Sequence, residues 1–191
     1  KTSREIGMSQ KKNSSNFDRR DFLKLSAAGL GAAAVAAKAG TTQGISTPAE
    51  LFIAPKLSKV RIGYVGVGGQ GTSHVRNLTK IEGAEVVAVC DLMPDRVARS
   101  QKIVEDAGFK KPDGYSNGED DYKNLCARDD IDLVYTATPW EWHTPVCVEA
   151  MENGKHAATE VPAMVTIEEA WQLVETSERT KRYCIMMENC C

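Results

Sequence analysis

The amino-acid sequence predicts an α/β fold built on a doubly wound parallel sheet. Apolar strand-like segments alternate with helix-like segments from residue 59 onward, which is typical of parallel strands joined by crossover helices. A glycine-rich turn also joins the first predicted strand to the first predicted helix. The 191 residues are 42% apolar and 26% charged, which excludes a disordered chain and a bundle of membrane helices.

The predicted domain occupies residues 59–191, after a linker at 40–58 that is rich in Thr, Gly, Ser and Pro. Strands are predicted at residues 60–65, 85–90, 132–137, 156–159 and 183–187. Helices are predicted near residues 72–80, 94–107, 122–127, 145–153 and 166–180. The polar residues 110–121 interrupt the alternation and give no strand signal.

Local signals place several helix ends. Pro94 suits the first turn of a helix, and Gly154 is typical of a C-terminal cap. Thr166 and Glu169 have the spacing of a capping box, so a helix is expected to begin there.

The charge divides between a basic head and an acidic body. Residues 1–39 hold eight basic and three acidic side chains, a net charge of +5, which leaves −7 for the rest of a chain whose total is −2. A general nucleic-acid binder is normally basic, so no nucleic-acid partner is expected.

Residues 1–39 are interpreted as an export signal. Arg19 and Arg20 precede the tripeptide Phe-Leu-Lys, an Ala- and Gly-rich run follows at 25–37, and a small-x-small cleavage site closes the segment. The pattern resembles a Tat (twin-arginine translocation) signal, apart from Asp18 at its first position. We therefore expect the Tat translocase as a partner and a periplasmic or extracellular location. The run is shorter than the ~20 residues of a stable membrane span, and an amphipathic helix of a soluble protein is the alternative.

The segment Gly66–Gly71 reads Gly-Val-Gly-Gly-Gln-Gly and matches the pattern GxGxxG. It follows a predicted strand, opens a predicted helix, and ends twenty residues before Asp91, the acid at the end of the next strand. In a dinucleotide fingerprint, Gly66 allows the tight turn, Gly68 lets a pyrophosphate approach the backbone, and the last glycine lets the helix pack on the strand. Asp91 would bind the ribose hydroxyls and repel a 2′-phosphate. The sequence thus predicts a Rossmann-type sheet that binds NAD rather than NADP, the alternative being a glycine-rich turn in an unrelated α/β fold.

Further candidates follow the later strands. Trp140, Trp142 and His143 lie after the third predicted strand, and Glu160 after the fourth. Ligands of doubly wound sheets bind at the carboxyl ends of strands, so these side chains are expected near the cofactor. The alternatives are packing roles for the tryptophans, a helix-start role for His143, and a solvated loop acid for Glu160. Asn189 follows the last strand, where a simple turn residue is the alternative.

Two further features are placed outside the predicted site, and a third has two possible positions. Trp171 is expected in the core, and the acidic run 119–121 is expected to be a solvated turn, so no metal site is predicted. His74 is expected either near the phosphate or exposed on the surface of its helix.

Taken together, the glycine turn, residues 88–91, Thr138-Pro139 with His143, and the triplet at 160–162 resemble the Gfo/Idh/MocA superfamily (glucose–fructose oxidoreductase, inositol dehydrogenase and relatives). The segments 137–145, 160–163 and 188–191 look like glycoside hydrolase family 109, the NAD-dependent α-N-acetylgalactosaminidases. The superfamily's dehydrogenases usually have Lys in the middle of that triplet. Val161 stands there and cannot transfer a proton, which argues against an inositol-type dehydrogenase mechanism.

The resemblance implies NAD as the cofactor and N-acetylgalactosamine-containing glycans as the substrate. It implies contacts to NAD from Gly69, Gln70, Asp91, Trp140, His143, Glu160, Val161 and Asn189. In the family, NAD takes a hydride from sugar C3, the aglycone is eliminated, water adds at C1, and the hydride returns. The alternatives are an NAD-dependent sugar or polyol dehydrogenase and a non-catalytic dinucleotide-binding module.

The family's substrate-binding residues and catalytic base lie in a second, α+β domain, which we do not find in this sequence. No catalytic residue is therefore predicted. The chain is expected to be an N-terminal piece of a longer protein, and that piece to be inactive by itself. The resemblance leaves the oligomeric state open, with a homo-oligomer as one option.

Overall fold

A computed structural model describes residue 54 and residues 56–188. The predicted export signal, most of the predicted linker and Asn189 lie outside the described residues. The described strands are β1 (Val60–Val65), β2 (Ala84–Cys90), β3 (Asp113–Tyr115), β4 (Leu133–Thr136), β5 (His156–Thr159) and β6 (Cys184–Met186). The described helices are α1 (Gly69–Leu78), α2 (Pro94–Asp106), α3 (Asp121–Cys126), a 3₁₀ helix (Trp140–Trp142), α4 (His143–Glu152) and α5 (Ile167–Thr180).

The six strands form one sheet in the order β3-β2-β1-β4-β5-β6, and every neighbouring pair is parallel. This order confirms the predicted Rossmann-type doubly wound sheet. The strand order reverses between β1 and β4, and a crevice opens at such a switch point beyond the carboxyl ends of the strands. The candidate residues that follow β1, β2, β4 and β5 therefore lie at the same edge of the sheet.

Two hydrophobic clusters anchor the helices to the sheet. One joins Tyr64 and Val89 to Val75 of α1 and Val104 of α2, all fully buried. The other contains side chains from α3, α4 and α5, among them Leu125 and Met151. Full burial of an aliphatic side chain contributes roughly 1.5–3 kcal/mol, so the first cluster holds α1 firmly against β1.

The structure differs from the sequence prediction at residues 110–121. Strand β3 lies there and pairs with β2 through three residues, of which Asp113 and Gly114 are exposed. An exposed three-residue edge strand has no apolar alternation, and its signal in the sequence is correspondingly weak. Asp121 was expected in a solvated turn but is buried and accepts hydrogen bonds from Asn117 and Asn124.

Trp171 is a second difference. It was expected in the core, but it is 62% exposed on α5, whose buried side is formed by Leu173 and Thr176. The helix itself begins as predicted, because the Thr166 hydroxyl accepts from the backbone N–H of Glu169 while the Glu169 carboxylate accepts from that of Thr166. Among the described residues, no helix is both long enough and apolar enough to cross a membrane.

Candidate cofactor-binding site

The site is assembled by backbone hydrogen bonds that continue the sheet past its strand ends. The N–H of Gly66, after β1, donates to the carbonyl of Cys90 at 2.8 Å. The N–H of Glu160, after β5, donates to the carbonyl of Thr136 at 3.0 Å. The glycine turn and the Glu160 loop are thus held in register on either side of the switch point.

Two glycines of the turn have the roles that the sequence predicted. Gly66 has a φ of 85°, in the left-handed region that favours glycine, and a Cβ there would lie 2.8 Å from the backbone of Ala137. A Cβ on Gly71 would lie 1.9 Å from the Gly66 carbonyl oxygen. The tight turn and the close packing of α1 on it both exclude side chains.

Gly68 and Gly69 have a different role, because no protein atom requires them to be glycine. Gly68 has a φ of −66°, and a Cβ there would meet only the Arg96 guanidinium, at an ordinary 3.7 Å. A Cβ on Gly69 would meet nothing within 4 Å. The first turn of α1 has neither an acidic residue nor a side-chain cap, so its N–H groups and positive dipole end face open space. This open cradle suits a phosphate group.

Asp91 lies in a large cleft of about 340 Å³ on the β2 side of the turn. The cleft is lined by residues from several loops, among them Gly66, Asp91, Met93, Arg96, Thr138 and Trp142. The Asp91 side chain is only 7% exposed, and its Oδ1 accepts from the Met93 N–H at 3.0 Å. None of the described residues donates to Oδ2, which leaves that oxygen available to ligand hydroxyls.

Arg96 is a cleft residue that was not among the predicted site residues. Its Nη1 lies 3.5 Å from Asp91 Oδ1, and the same atom would lie 3.7 Å from a Cβ placed on Gly68. A single guanidinium therefore connects the acid to the phosphate cradle. The signal available in the sequence was its place in the first turn of α2, the helix that begins directly after the Asp91 loop.

A small pocket of about 170 Å³ lies on the β5 side of the turn. Its lining contains five residues predicted to contact the cofactor and two from the loop after β4, namely Gln70, Trp140, His143, Glu160 and Val161 with Ala137 and Thr138. The 3₁₀ helix contributes one tryptophan to the small pocket and one to the large cleft. Trp140 is exposed at the small pocket, whereas Trp142 packs edge-on against Tyr122 in the wall of the large cleft.

The Glu160 carboxylate is nearly enclosed by protein. Its Oε2 accepts from the Val161 N–H at 3.3 Å. Its Oε1 is buried and has no aligned hydrogen-bond donor among the described residues. A buried carboxylate oxygen without a donor is costly, so a ligand hydroxyl or amide N–H in the small pocket would stabilise it.

His143 is completely buried at the start of α4, and both of its ring nitrogens face backbone carbonyls. Nδ1 lies 2.6 Å from the Pro162 oxygen and Nε2 lies 2.9 Å from the Thr138 oxygen. A neutral ring donates to only one of them, and a doubly protonated ring donates to both. His143 thus connects the loops that follow β4 and β5. Its contact with a ligand stays a prediction, as does that of Asn189, which lies outside the described residues.

The residues fit a dinucleotide. An open phosphate cradle lies between a cleft that contains a ribose-type acid and a pocket that contains a carboxylate oxygen without a donor. Within the part of the chain that the structure describes, no group of three His, Cys, Asp or Glu residues could hold a metal ion.

Sheet order and site geometry define a dinucleotide-binding domain of the Rossmann class. The family model described as "Oxidoreductase family, NAD-binding Rossmann fold" matches residues 60–188. The chain therefore belongs to the Gfo/Idh/MocA oxidoreductase family, and NAD is its cofactor. The family resemblance and the cofactor predicted from the sequence are both confirmed.

Two similar curated proteins are both named as members of glycosyl hydrolase family 109. The chain is 46% identical over 186 residues to a glycosyl hydrolase family 109 protein of Saccharopolyspora erythraea, covering 93% of this chain and 40% of the relative. It is 50% identical over 139 residues to one of Porphyromonas gingivalis, covering 73% of this chain and 30% of that relative. The chain thus spans less than half the length of these relatives.

Solved structures agree with this fold. The WlbA dehydrogenase of Chromobacterium violaceum, crystallised with NADH and UDP-GlcNAcA, is 26% identical with a TM-score of 0.60, covering 71% of this chain and 37% of that one. The myo-inositol 2-dehydrogenase of Lactobacillus plantarum is 22% identical with a TM-score of 0.59, covering 68% of this chain and 36% of that one. The second likeness concerns the fold alone.

Proposed function

We propose that this chain is the NAD-binding part of an exported glycosidase that hydrolyses α-N-acetylgalactosaminides while NAD stays bound. The observation that carries the proposal is its 46% identity, over nearly its whole length, to a protein named as a member of glycosyl hydrolase family 109. Val161 supports it, because a valine in this pocket cannot move a proton to or from a substrate hydroxyl.

The two cavities suggest how this chain holds NAD. The large cleft would hold the adenosine half, with Asp91 Oδ2 accepting from the ribose hydroxyls. The N–H groups that begin α1 at Gly69, with Arg96 nearby, would hold the pyrophosphate. Glu160 and Trp140 of the small pocket would hold the nicotinamide half. When bound, the nicotinamide supplies a site that accepts a hydride and returns it.

The proton transfers of the reaction need groups beyond those of the small pocket. Its described lining contains two titratable side chains, Glu160 and His143. Both His143 nitrogens face carbonyls, whereas Glu160 Oε2 accepts from the Val161 N–H and Oε1, which has no donor among the described residues, is assigned here to the nicotinamide half of NAD. This chain therefore binds and orients the cofactor, whereas the substrate and its acid–base groups belong to another part of the complete protein.

A second candidate is an NAD-dependent sugar dehydrogenase. The oxidoreductase family model and the likeness to a WlbA dehydrogenase favour it. The two reactions differ in their redox balance. A dehydrogenase releases one NADH for each sugar oxidised, whereas the proposed glycosidase returns each hydride and accumulates none.

The test uses the complete protein that contains this chain, incubated with a nitrophenyl α-N-acetylgalactosaminide. Nitrophenol release without net NADH is the expected result. NADH formed in proportion to turnover would overturn the glycosidase in favour of the dehydrogenase. If the protein binds NAD but forms neither nitrophenol from this glycoside nor NADH from free sugars, the chain is a non-catalytic dinucleotide-binding module. The β-linked glycoside is the matched substrate control, and D91A the variant control, since excess NAD should restore its turnover.

The twin arginines Arg19 and Arg20 are the reason for proposing that the protein is exported. NAD is made in the cytoplasm, so a secreted protein that keeps NAD must fold around it before crossing the membrane. Tat transport carries folded proteins, which makes the signal and the retained cofactor mutually consistent.

A further inference from the structure

His74 occupies a position that the sequence did not anticipate. It lies on α1 just after the glycine turn, and its side chain is only 12% exposed. The ring lies neither on the surface nor at the phosphate cradle but between the core residue Tyr64 and the pocket residue Glu160. Its Nδ1 lies 2.7 Å from the Tyr64 hydroxyl, and its Nε2 lies 3.1 Å from Glu160 Oε1.

Aromatic packing fixes the plane of this ring. His74 stacks on Tyr135 with centroids 5.3 Å apart and an interplanar angle of 28°. Tyr64 meets it edge-on at 6.2 Å, and Tyr64 itself packs on Tyr135 at 4.9 Å. Both tyrosines are buried, so the ring has little freedom to rotate away.

Tyr64 is the hydrogen-bond partner of His74 Nδ1. Burial strongly raises the pKa of the Tyr64 phenol, which therefore stays a neutral hydroxyl that can donate to Nδ1 or accept from it. When the phenol donates, a neutral ring carries its proton on Nε2, the atom that faces Glu160. The Gln70 amide nitrogen also lies 3.2 Å from Nε2 and donates to it only when Nε2 carries no proton, so Gln70 and Glu160 compete for this atom.

Among the described residues, His74 is the only basic side chain within ion-pair distance of the Glu160 carboxylate. Nε2 is within ion-pair distance of Oε1, but it lies off the axis of a hydrogen bond, so Oε1 keeps a free direction toward the small pocket. We propose that His74 is a positioning residue that holds the Glu160 carboxylate toward the nicotinamide half of NAD. This role rests on the placement of that half in the small pocket, as proposed above, but not on the glycoside chemistry.

The test compares NAD⁺ with ADP-ribose, which lacks the nicotinamide ring, by calorimetric titration of the full chain. H74F keeps an aromatic ring against Tyr135 and removes both nitrogens. We expect it to raise the Kd for NAD⁺ roughly 5- to 20-fold, since the Glu160 carboxylate loses the polar neighbour that orients it toward the nicotinamide half, and to leave the Kd for ADP-ribose unchanged. S73A, at the neighbouring exposed position of α1, should change neither Kd.

Two further variants keep the proposal testable if H74F does not fold. H74Q places an amide N–H near the position of Nε2 and should retain most of the NAD⁺ affinity. E160Q should produce the selective loss by itself, and adding H74F to it should cause little further loss, because both variants act through one carboxylate.

Other results would overturn the role of His74. An equal loss of affinity for NAD⁺ and ADP-ribose in H74F would indicate general structural damage, and an unchanged Kd for NAD⁺ would exclude the contact. If the unmodified chain binds ADP-ribose as tightly as NAD⁺, the placement of the nicotinamide half fails as well. If instead the unmodified chain binds NAD⁺ more tightly than ADP-ribose and H74F keeps the same difference, the role of His74 fails while the placement of the nicotinamide half stands.

Discussion

Gly71 of α1 and Gly66 of the turn after β1 are so close that a Cβ on residue 71 would lie 1.9 Å from the carbonyl oxygen of Gly66. The helix therefore packs directly on the turn from which it emerges. This contact sets the distance between the N–H groups of α1 and the end of β1, and with it the position of the phosphate cradle.

G71A should destabilise the domain. The added methyl group meets backbone rather than a flexible side chain, so α1 must move or the turn must open. Overpacking of this kind costs ~1–3 kcal/mol, and more where the backbone cannot yield. Urea denaturation of G71A and the unmodified chain measures the loss, and an equal free energy of unfolding would contradict the close contact.

G69A is the matched variant two residues away, and the opposite result is expected. Apart from its chain neighbours and the backbone of its own helix, no described atom lies within 4 Å of the added Cβ, and alanine is a better helix former than glycine, so the free energy of unfolding should not fall. The Cβ would instead fill space at the phosphate cradle and raise the Kd for NAD⁺ roughly tenfold or more, about 1.4 kcal/mol. Titration with NAD⁺ checks this, and unchanged affinity would place the pyrophosphate elsewhere.

D91A should weaken NAD⁺ binding by roughly 1–3 kcal/mol, because hydrogen bonds from the ribose hydroxyls to a carboxylate are lost. The change should also reduce discrimination against NADP⁺, since the repulsive charge of Asp91 disappears. Arg96, whose guanidinium lies 3.5 Å from that carboxylate in the unmodified chain, remains to attract the 2′-phosphate. Parallel titrations with NAD⁺ and NADP⁺ measure both effects. D95A removes a nearby exposed charge from α2 as the control, and similar losses in both variants would remove Asp91 from the site.

The sequence predicted the parts of this site that depend on neighbouring residues along the chain. The glycine turn and Asp91 belong to a local motif with a fixed spacing, so their positions at the sheet edge followed from the strand–turn–helix pattern. The role of Arg96 and the position of His74 could not be predicted, because the approach of Arg96 to the phosphate cradle and of His74 to Glu160 arises only in the folded chain. Strand β3 and the exposed Trp171 were misjudged because burial there depends on packing between elements and not on local periodicity.

The stability of the domain should fall as the pH drops through the titration of His156. Burial lowers its pKa below the ordinary 6.5, and Arg182 lowers it further, although Asp132 opposes them. The neutral ring accepts a hydrogen bond from the Tyr183 N–H at 2.9 Å, which a proton on Nδ1 would abolish. The unfolded chain binds this proton more tightly than the folded chain. The contribution of His156 to the free energy of unfolding is therefore complete above pH 6.5, and it is lost as the pH falls through the lower pKa that His156 has in the folded chain.

H156Q supplies the comparison. Its amide oxygen can accept a hydrogen bond at any pH, so its free energy of unfolding should vary less than that of the unmodified chain between about pH 7.5 and pH 5. Urea denaturation across this range gives both curves, and their difference isolates His156 from the other groups that titrate. Parallel curves would show that His156 binds its proton equally in the folded and unfolded chains.

Replacing both Arg19 and Arg20 by lysine should trap the precursor of the exported protein in the cytoplasm. Lysine keeps the positive charge but lacks the planar guanidinium fork, so a receptor that reads arginine geometry would no longer bind. Cell fractionation followed by immunoblotting measures the distribution. Replacing Lys11 and Lys12 by arginine changes two nearby residues of the head at constant charge and should leave export intact. Normal export of the twin-lysine variant would exclude the Tat route and, with it, the loading of NAD before the protein crosses the membrane.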